Sequence, residues 1–442
     1  MSHSFNDLNL SKPLLKALAD IGFTEATPIQ AKAFPVIMSG RDVIGISQTG
    51  TGKTLAYLLP ILRQLTYSEE RHPRVLIVLP TRELVVQVEE EIKKLCAYMH
   101  VRVVGVYGAS NINIQKQKVY DGCDVLVATP GRLIDLTLSR TLQFSSIKKL
   151  VIDEVDEMLN LGFRAQLVQI LEVLPLKRQN ILFSATLNEE VDAMIQKYFQ
   201  QPQYVELISR GTPLAQTVQQ AFEVPNFYTK VNLLEWLLVH EQEFKKVLVF
   251  VKNKQIADAI ESELQDFSDD LAVIHSNKSQ PHRFEAVKKF QRESIRVLIA
   301  TDVVARGLDF KDVSHVVNFD LPSVPETYVH RIGRTGREGK AGVAMSFVTE
   351  KDQNYLRHIE ALMRMKVSVR AIPEDVEITT LLTKEEMPVK RDKNINKNKK
   401  PTYSGGGAFH EKKAKNKKVQ LGGKRRQEKQ RRALEKSRSK RG

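Results

Sequence analysis

The sequence predicts an α/β fold: two tandem doubly wound parallel-sheet domains followed by a disordered basic C-terminal tail. Three observations predict it. Short runs rich in Val, Ile and Leu alternate with longer segments of helical period, the pattern of strands joined by crossover helices. The runs are nearly continuous in apolar residues, as strands covered on both faces are. The charge is also partitioned. The 442 residues carry 67 Lys+Arg against 52 Asp+Glu, a net of +15. Residues 388–442 hold 21 and 4 of these, leaving 46 and 48 for residues 1–387. The body is near neutral and the basic excess belongs to the tail.

In the first domain, residues 1–207, the strand runs are 42–47, 74–80, 101–108, 124–130, 148–154 and 179–186. Between them residues 83–98 read as a helix, with Leu84, Val88, Ile92 and Leu95 at three-to-four spacing. Residues 208–217 read as a linker, since Gly211 and Pro213 interrupt any period. The strand pattern restarts in a second domain, 218–371, at 246–253, 271–277, 296–302, 314–320 and 342–349. A C-terminal extension, 372–442, follows. From about residue 388 it is rich in Lys, Asn, Arg and Gly, too poor in apolar surface to offset the entropy of ordering. No apolar run reaches the roughly 18 residues that cross a bilayer, and the first ten residues lack a secretory pattern. Cys96 and Cys123 are the only cysteines, without companions at metal spacing. The expectation is a cytoplasmic protein with no membrane partner.

Residues 47–54, SQTGTGKT, end the first strand and enter a helix. Apart from Ser47 in place of an initial Gly, this is a phosphate loop. Thr49, Gly50, Thr51 and Gly52 bring backbone N–H groups to phosphate oxygens. Lys53 pairs with the β- and γ-phosphates, and Thr54 with Mg²⁺. The bland alternative is an ordinary Gly-rich turn, which Lys-Thr after the second Gly disfavours. Asp153-Glu154-Val155-Asp156 follows the strand LVI and places carboxylates at the sheet edge where α/β ligands bind. Asp153 suits Mg²⁺ and Glu154 a water to be activated. Standing alone, the same residues are equally an acidic helix start. His330-Arg331-Ile332-Gly333-Arg334-Thr335-Gly336-Arg337 sets three arginines within seven residues of the second domain. They are either a solvated turn or planar cations delivered to a γ-phosphate across a domain cleft.

In this order these motifs resemble the DEAD-box family of superfamily 2 RNA helicases, over about residues 5–370. The resemblance implies two RecA-like domains and ATP, Mg²⁺ and RNA as ligands. Residues 22–30, GFTEATPIQ, are similar to the family's Q motif, which implies adenine recognition by Gln30 with Phe23 stacked on the base. Pro80, Thr81 and Arg82, then Gly108, then Thr129, Gly131 and Arg132 match the first domain's RNA-contacting motifs. Taken singly, each is also a capped helix start. Arg283 and Thr301 match RNA contacts of the second domain, and Gly307 and Asp309 match its nucleotide side. Lys53, Asp153, Glu154, Arg334 and Arg337 are the implied catalytic set. Asp156, Ser184, Thr186, His330 and Arg331 are the implied coupling set, with His330 and Arg331 linking the cleft to the first domain. The sequence departs at Val155, at Ser47, at Ser276 and at Ala109, which stands where a second Gly is common.

The expected function is RNA-stimulated ATP hydrolysis coupled to local, non-translocating unwinding or remodelling of RNA–protein complexes by a monomer. RNA is gripped through its backbone, without sequence preference. The basic tail is a tether to RNA, and it makes the chain most similar to the bacterial RhlE-type subgroup. Ribosomal precursors and the RNA-decay machinery are compatible partners. A DNA-directed helicase of the same superfamily and an RNA clamp with little unwinding remain as alternatives.

Overall fold

The central strands of this chain serve two hydrophobic cores at once. Val75 and Ile77 face one cluster while Leu76 and Val78 face another. In the second half Val247, Val249 and Val251 face one side, and Leu248 and Phe250 the other. This two-sided burial explains the continuous apolar runs. The structure, a computed structural model, describes residues 3–47, 51–207, 217–305, 310, 312–336, 342–383 and 385–387. The expected disordered tail from 388, most of the linker (208–216), and the site residues Thr49, Gly50, Gly307, Asp309 and Arg337 lie outside the described residues.

The first sheet has seven strands: β1 Val43–Ile46, β2 Val75–Val78, β3 Val103–Val106, β4 Val125–Ala128, β5 Lys149–Ile152, β6 Gln179–Ser184 and β7 Gln203–Glu206. The second has β8 Thr217–Glu223, β9 Val247–Val251, β10 Leu271–Ile274, β11 Val297–Thr301, β12 His315–Asn318, β13 Gly342–Val348 and β14 Ser368–Arg370. Every pairing in both sheets is parallel. The orders are β3-β4-β2-β5-β6-β1-β7 and β10-β11-β9-β12-β13-β8-β14. Adding seven to each strand of the first order gives the second, so the two RecA-like domains repeat one topology.

Three strands escaped the sequence pattern. β7 and β14 are edge strands with mostly exposed side chains, and β8 alternates buried with exposed residues. Thr217, expected in the linker, opens β8. Its backbone pairs with Gly342 in the sheet, so the second domain starts one residue earlier than expected. A short antiparallel ladder, His3–Ser4 with Glu25–Ala26, brings the N-terminus against the 22–30 segment and buries Phe5 in the first core. Beyond β14 the chain runs back over the helix Phe227–His240. Asn226 donates to Thr379 O, Asn232 donates to Glu377 O, and Glu386 accepts from the Phe227 N–H. Part of the C-terminal extension therefore packs on the second domain.

Candidate functional site

In parallel sheets the residues that follow the strands gather at one edge, and strand order decides which become neighbours. In the first sheet β5, β6 and β1 are consecutive. They bring together Asp153–Asp156, Ser184–Thr186 and the phosphate loop. β3, β4 and β2 form the other half and bring together Gly108, Thr129–Arg132 and Pro80–Arg82. Residues read as nucleotide-binding and as RNA-binding thus occupy opposite halves of one sheet edge.

On the nucleotide half, Gly52 caps the helix Lys53–Gln64 with φ 87°. A Cβ there would lie 2.5 Å from Gln30 Nε2, so both conformation and space require glycine. Gln30 is 3% exposed rather than a surface residue. Its Oε1 accepts from the Thr27 N–H at 2.9 Å and its Nε2 donates to Gly52 O at 3.1 Å. The predicted base reader is therefore tied to the phosphate loop. Phe23 packs half-buried against the first core. Thr51 donates to Ser47 Oγ at 3.1 Å. Lys53 is buried, and among the described residues its Nζ has no hydrogen-bond partner.

Burial pushes the Asp153 and Glu154 carboxyls above the ordinary range, and the Lys53 charge beside them opposes the shift. Asp153 Oδ1 accepts from the Glu154 N–H at 2.9 Å. Glu154 sits in the left-handed region, φ 53°, ψ 48°, just before the helix Val155–Asn160. A non-glycine residue held there stores on the order of 1–3 kcal/mol, which commonly marks a functional position. The expected acidic helix start is thus present, with the strain added. Tyr57, one turn beyond Lys53, is fully buried between Asp153 and Thr54, and its hydroxyl titrates well above the usual phenol range.

Asp156 points the other way. Its Oδ2 accepts from the N–H groups of Ala185 and Thr186 at 3.2 and 3.0 Å and from Thr186 Oγ1 at 3.0 Å. Ser184 donates from Oγ to Thr186 O at 2.6 Å. The Ser47 N–H donates to Ser184 O at 3.1 Å. The turn after β6 is therefore clamped to both the acidic motif and the phosphate loop.

Arg334 is buried, and its charge acts across the domains on the Glu154 carboxyl, partly opposing the upward shift that burial gives it. His330 Nδ1 lies 3.8 Å from Glu157 Oε2, a second crossing between the domains. Arg331 does not cross as expected. It pairs through Nε and Nη2 with Asp302 at 2.6 and 2.7 Å, and through Nη1 with Asn318 Oδ1 and Asp320 O. Its guanidinium is consumed inside the second domain, where it braces the short helix Asp302–Ala305 that follows Thr301.

On the RNA half, Thr81 Oγ1 accepts from the Leu84 N–H at 3.3 Å and caps the helix Arg82–Leu95. Thr129 is buried at the start of the helix Pro130–Leu138, whose first turn carries Gly131. Arg82 Nη1 donates to Gln280 Oε1 at 3.2 Å, and Gln280 Nε2 donates to Glu83 Oε1 at 3.1 Å. Arg283 pairs with Glu83, so these contacts also bridge the domains. A phosphate approaching Arg283 meets a guanidinium already paired. Arg132, expected to grip phosphate, is 7% exposed and turned inward. It donates to Gln115 Oε1 at 2.7 Å and to Ser110 O at 3.1 Å, and it lies 3.4 Å from Asp135. Sequence reasoning gave no role to Gln115, Gln280, Asp302 or Tyr57. Only Gln280, three residues before Arg283 on one helical face, left a spacing signal.

The DEAD/DEAH box helicase family matches residues 27–194, and the helicase conserved C-terminal domain matches residues 229–339. The DEAD-box ATP-dependent RNA helicase CshA of Geobacillus kaustophilus is 40% identical over 364 residues, 82% of this chain and 77% of that protein. CshA of Bacillus subtilis is 38% identical over 367 residues, 83% and 74% of the two chains. Among solved structures, S. cerevisiae Dbp5 bound to RNA and ADP BeF3 superposes with a TM-score of 0.76 at 30% identity, covering 84% of this chain and 96% of that one. Mss116p bound to ssRNA and AMP-PNP gives 0.77 at 27% identity, covering 86% and 81%. A duplicated parallel-sheet fold, a strained acid at the edge of the first sheet, and relatives matched along most of their length lead to one conclusion: the chain belongs to the DEAD-box ATP-dependent RNA helicases.

Proposed function

We propose that this ATP-dependent RNA helicase hydrolyses ATP at the β1–β5–β6 end of the first sheet and unwinds RNA locally, without translocating, when its domains close on one strand. The observation that carries the reading is Lys53. A buried ammonium that, among the described residues, has no hydrogen-bond partner and lies beside two carboxylates is costly unless a ligand completes the site. A triphosphate does so. Lys53 holds its β- and γ-oxygens, Gly52 and its neighbours offer N–H groups, and Gln30 exchanges its bond to Gly52 for the adenine edge. By the family resemblance Thr49, Gly50 and Thr51 belong to the same phosphate-binding motif, and Gly307 and Asp309 are assigned to the nucleotide.

The residues fit Mg²⁺. Thr54 and Asp153 are hard oxygen donors close enough to act on one tyrosine. No group of three or more His, Cys, Asp and Glu among the described residues makes a closed cage. That suits an ion which keeps water and phosphate ligands. Bound there, it would neutralise charge on the phosphates. Glu154 orients and deprotonates the attacking water, and Arg334 with Arg337 offsets the charge that develops.

On the other half, Pro80, Thr81, Arg82, Gly108, Thr129, Gly131 and Thr301 line the path for an RNA backbone, with Arg283 released from Glu83. Arg132 shapes this path from behind. Ligands on both halves favour the same closed state, so they bind cooperatively. The tail, with its net +17, tethers structured RNA by counterion release. The tail and the short core are the basis for placing the chain with RhlE-type members, although the curated relatives it matches here are CshA proteins.

The test is a pair of variants. Lys53→Ala should lose nucleotide binding and turnover, and normal turnover would overturn the assignment of the phosphate loop. Glu154→Gln should bind ATP and RNA together yet hydrolyse slowly. Wild-type turnover in that variant would remove Glu154 from the water-activating role.

A further inference from the structure

The turn Gly108-Ala109-Ser110 lies on the RNA half, and its middle residue is in an unfavourable conformation. Ala109 has φ 54°, in the left-handed region. For a residue with a Cβ this costs about 1 kcal/mol or more. Such a conformation persists only where the surroundings over-determine it. Here one buried side chain supplies most of the bonds, beside the Ser110 Oγ donation to Tyr107 O at 3.1 Å. Gln115, on the helix Ile112–Asp121, is 6% exposed. Its Nε2 donates to Tyr107 O at 3.2 Å and to Ser110 Oγ at 2.5 Å. Its Oε1 accepts from the Tyr107 N–H at 3.3 Å and from Arg132 Nη1 at 2.7 Å. An amide offers two donors and two acceptor sites. All four are used, three on the two residues that flank Gly108-Ala109 and one on Arg132. Arg132 in turn donates to Ser110 O at 3.1 Å, which closes the ring of bonds.

We propose that Gln115 is a positioning residue for RNA binding: it holds the Gly108–Ser110 turn in its strained shape and keeps Arg132 against the back of that turn. The inference rests on the reading of this face as the RNA path. Gln115 touches no RNA itself. It sets the turn before RNA arrives, so that binding does not have to order it. Were Arg132 free, its charge would attract phosphate in many geometries. Held inward, it shapes one.

The experiment uses the full chain, with a fluorescent single-stranded oligouridylate as probe and a non-hydrolysable ATP analogue present. Gln115→Ala should weaken RNA binding about tenfold and raise the RNA concentration for half-maximal ATPase by a similar factor. The maximal rate and the nucleotide affinity without RNA should stay at wild-type values. Gln115→Glu keeps the acceptors and loses the donors, so it should fall between. The decisive arm is Gln115→Ala combined with Ala109→Gly. Glycine adopts the left-handed conformation without strain, so about fivefold of the affinity should return. A merely structural role for Gln115 predicts no rescue.

Gly131→Leu separates the inference from the reading beneath it. Nothing lies within 4 Å of a Cβ at Gly131, so the added side chain projects from the helix start without an internal clash. If Gly131→Leu leaves RNA binding unchanged, the face is not the RNA path and both ideas fail. If Gly131→Leu weakens binding while Gln115→Ala does not, the positioning role alone is wrong. Equal loss of nucleotide and RNA binding in Gln115→Ala, or absence of rescue by Ala109→Gly, also overturns it.

Discussion

Replacing Asp156 by Ala should loosen the turn after β6 and uncouple ATP turnover from strand separation. The magnitude follows from what the carboxylate holds. Oδ2 accepts from the N–H groups of Ala185 and Thr186 and from Thr186 Oγ1, and Oδ1 accepts from the Glu157 N–H at 3.1 Å. Asp156 is 2% exposed, so water does not take over these bonds. A buried N–H left without an acceptor costs about 1–3 kcal/mol. Two such groups in one turn, with some relaxation, come to roughly 2–4 kcal/mol. One effect opposes this. Asp156 repels Asp153 and Glu154, so its removal eases both, but it is the smallest of the named influences on each. The lost hydrogen bonds win. Asp156→Asn keeps one acceptor and turns an N–H toward the Glu157 N–H, so it should forfeit about 1 kcal/mol. Hydrogen exchange reads the effect locally. Protection at Ala185 and Thr186 should fall on the order of 30- to 1,000-fold in the Ala variant and about fivefold in the Asn variant. Strand displacement per ATP should fall with it. Protection within threefold of wild type, or displacement that falls no more than ATPase, would refute the clamp.

Other consequences follow from the same structure. Gly45 lies in β1 against the Phe183 ring, which itself packs on Tyr57 at 5.6 Å and has no room to retreat. Gly45→Ala should destabilise the first domain by about 1–3 kcal/mol, and an unchanged thermal midpoint contradicts that. His315 is buried against Phe244, and burial lowers its imidazole from 6.5 to about 4. A depressed histidine leaves the unfolded chain binding the proton more readily below pH 6.5. Its contribution is therefore intact above that pH and is lost as the pH falls toward 4, reaching about 2 kcal/mol at pH 5. Chemical denaturation from pH 7 to 5 should show this decline, and His315→Phe should flatten it. Deleting residues 388–442 should lower RNA affinity and flatten its salt dependence while sparing the maximal ATPase rate. An identical salt slope would mean that the tail does not contact RNA.

What could be read from the chain divides along a physical line. Strands such as β2 and β9 were legible because burial on both faces forces an unbroken apolar run. β8 was not, since Gln219 and Gln220 give it no such run, nor was β14, whose three residues are exposed. The phosphate loop and the acidic motif were legible because their chemistry requires neighbours in sequence. The direction of Arg132 was not legible. It depends on Gln115, seventeen residues away on another helix, and a glutamine inside a helical pattern carries no mark of a buried hub. Arg331 was misread for the same reason. Three arginines in one turn look alike until Asp302 and Asn318 claim one of them.

Strand order then constrains how the two ligands communicate. The residues assigned to nucleotide and those assigned to RNA sit on opposite halves of the first sheet's edge, and a rigid sheet does not itself carry a signal between them. Yet each half has its own crossing to the second domain. On the nucleotide half His330 approaches Glu157, and the Arg334 charge acts on Glu154. On the RNA half Gln280 and Arg283 reach Arg82 and Glu83. The second domain is therefore the shared element, and its closure is the equilibrium that both ligands bias. Coupling of this kind is reciprocal. Reciprocity holds whatever the route, so the route is read from the size of the coupling: Glu83→Gln, confined to the RNA-side crossing, should shrink the factor by which RNA tightens ATP binding. If that factor stays at its wild-type value, communication runs through the first domain instead, by way of the turn that Asp156 holds.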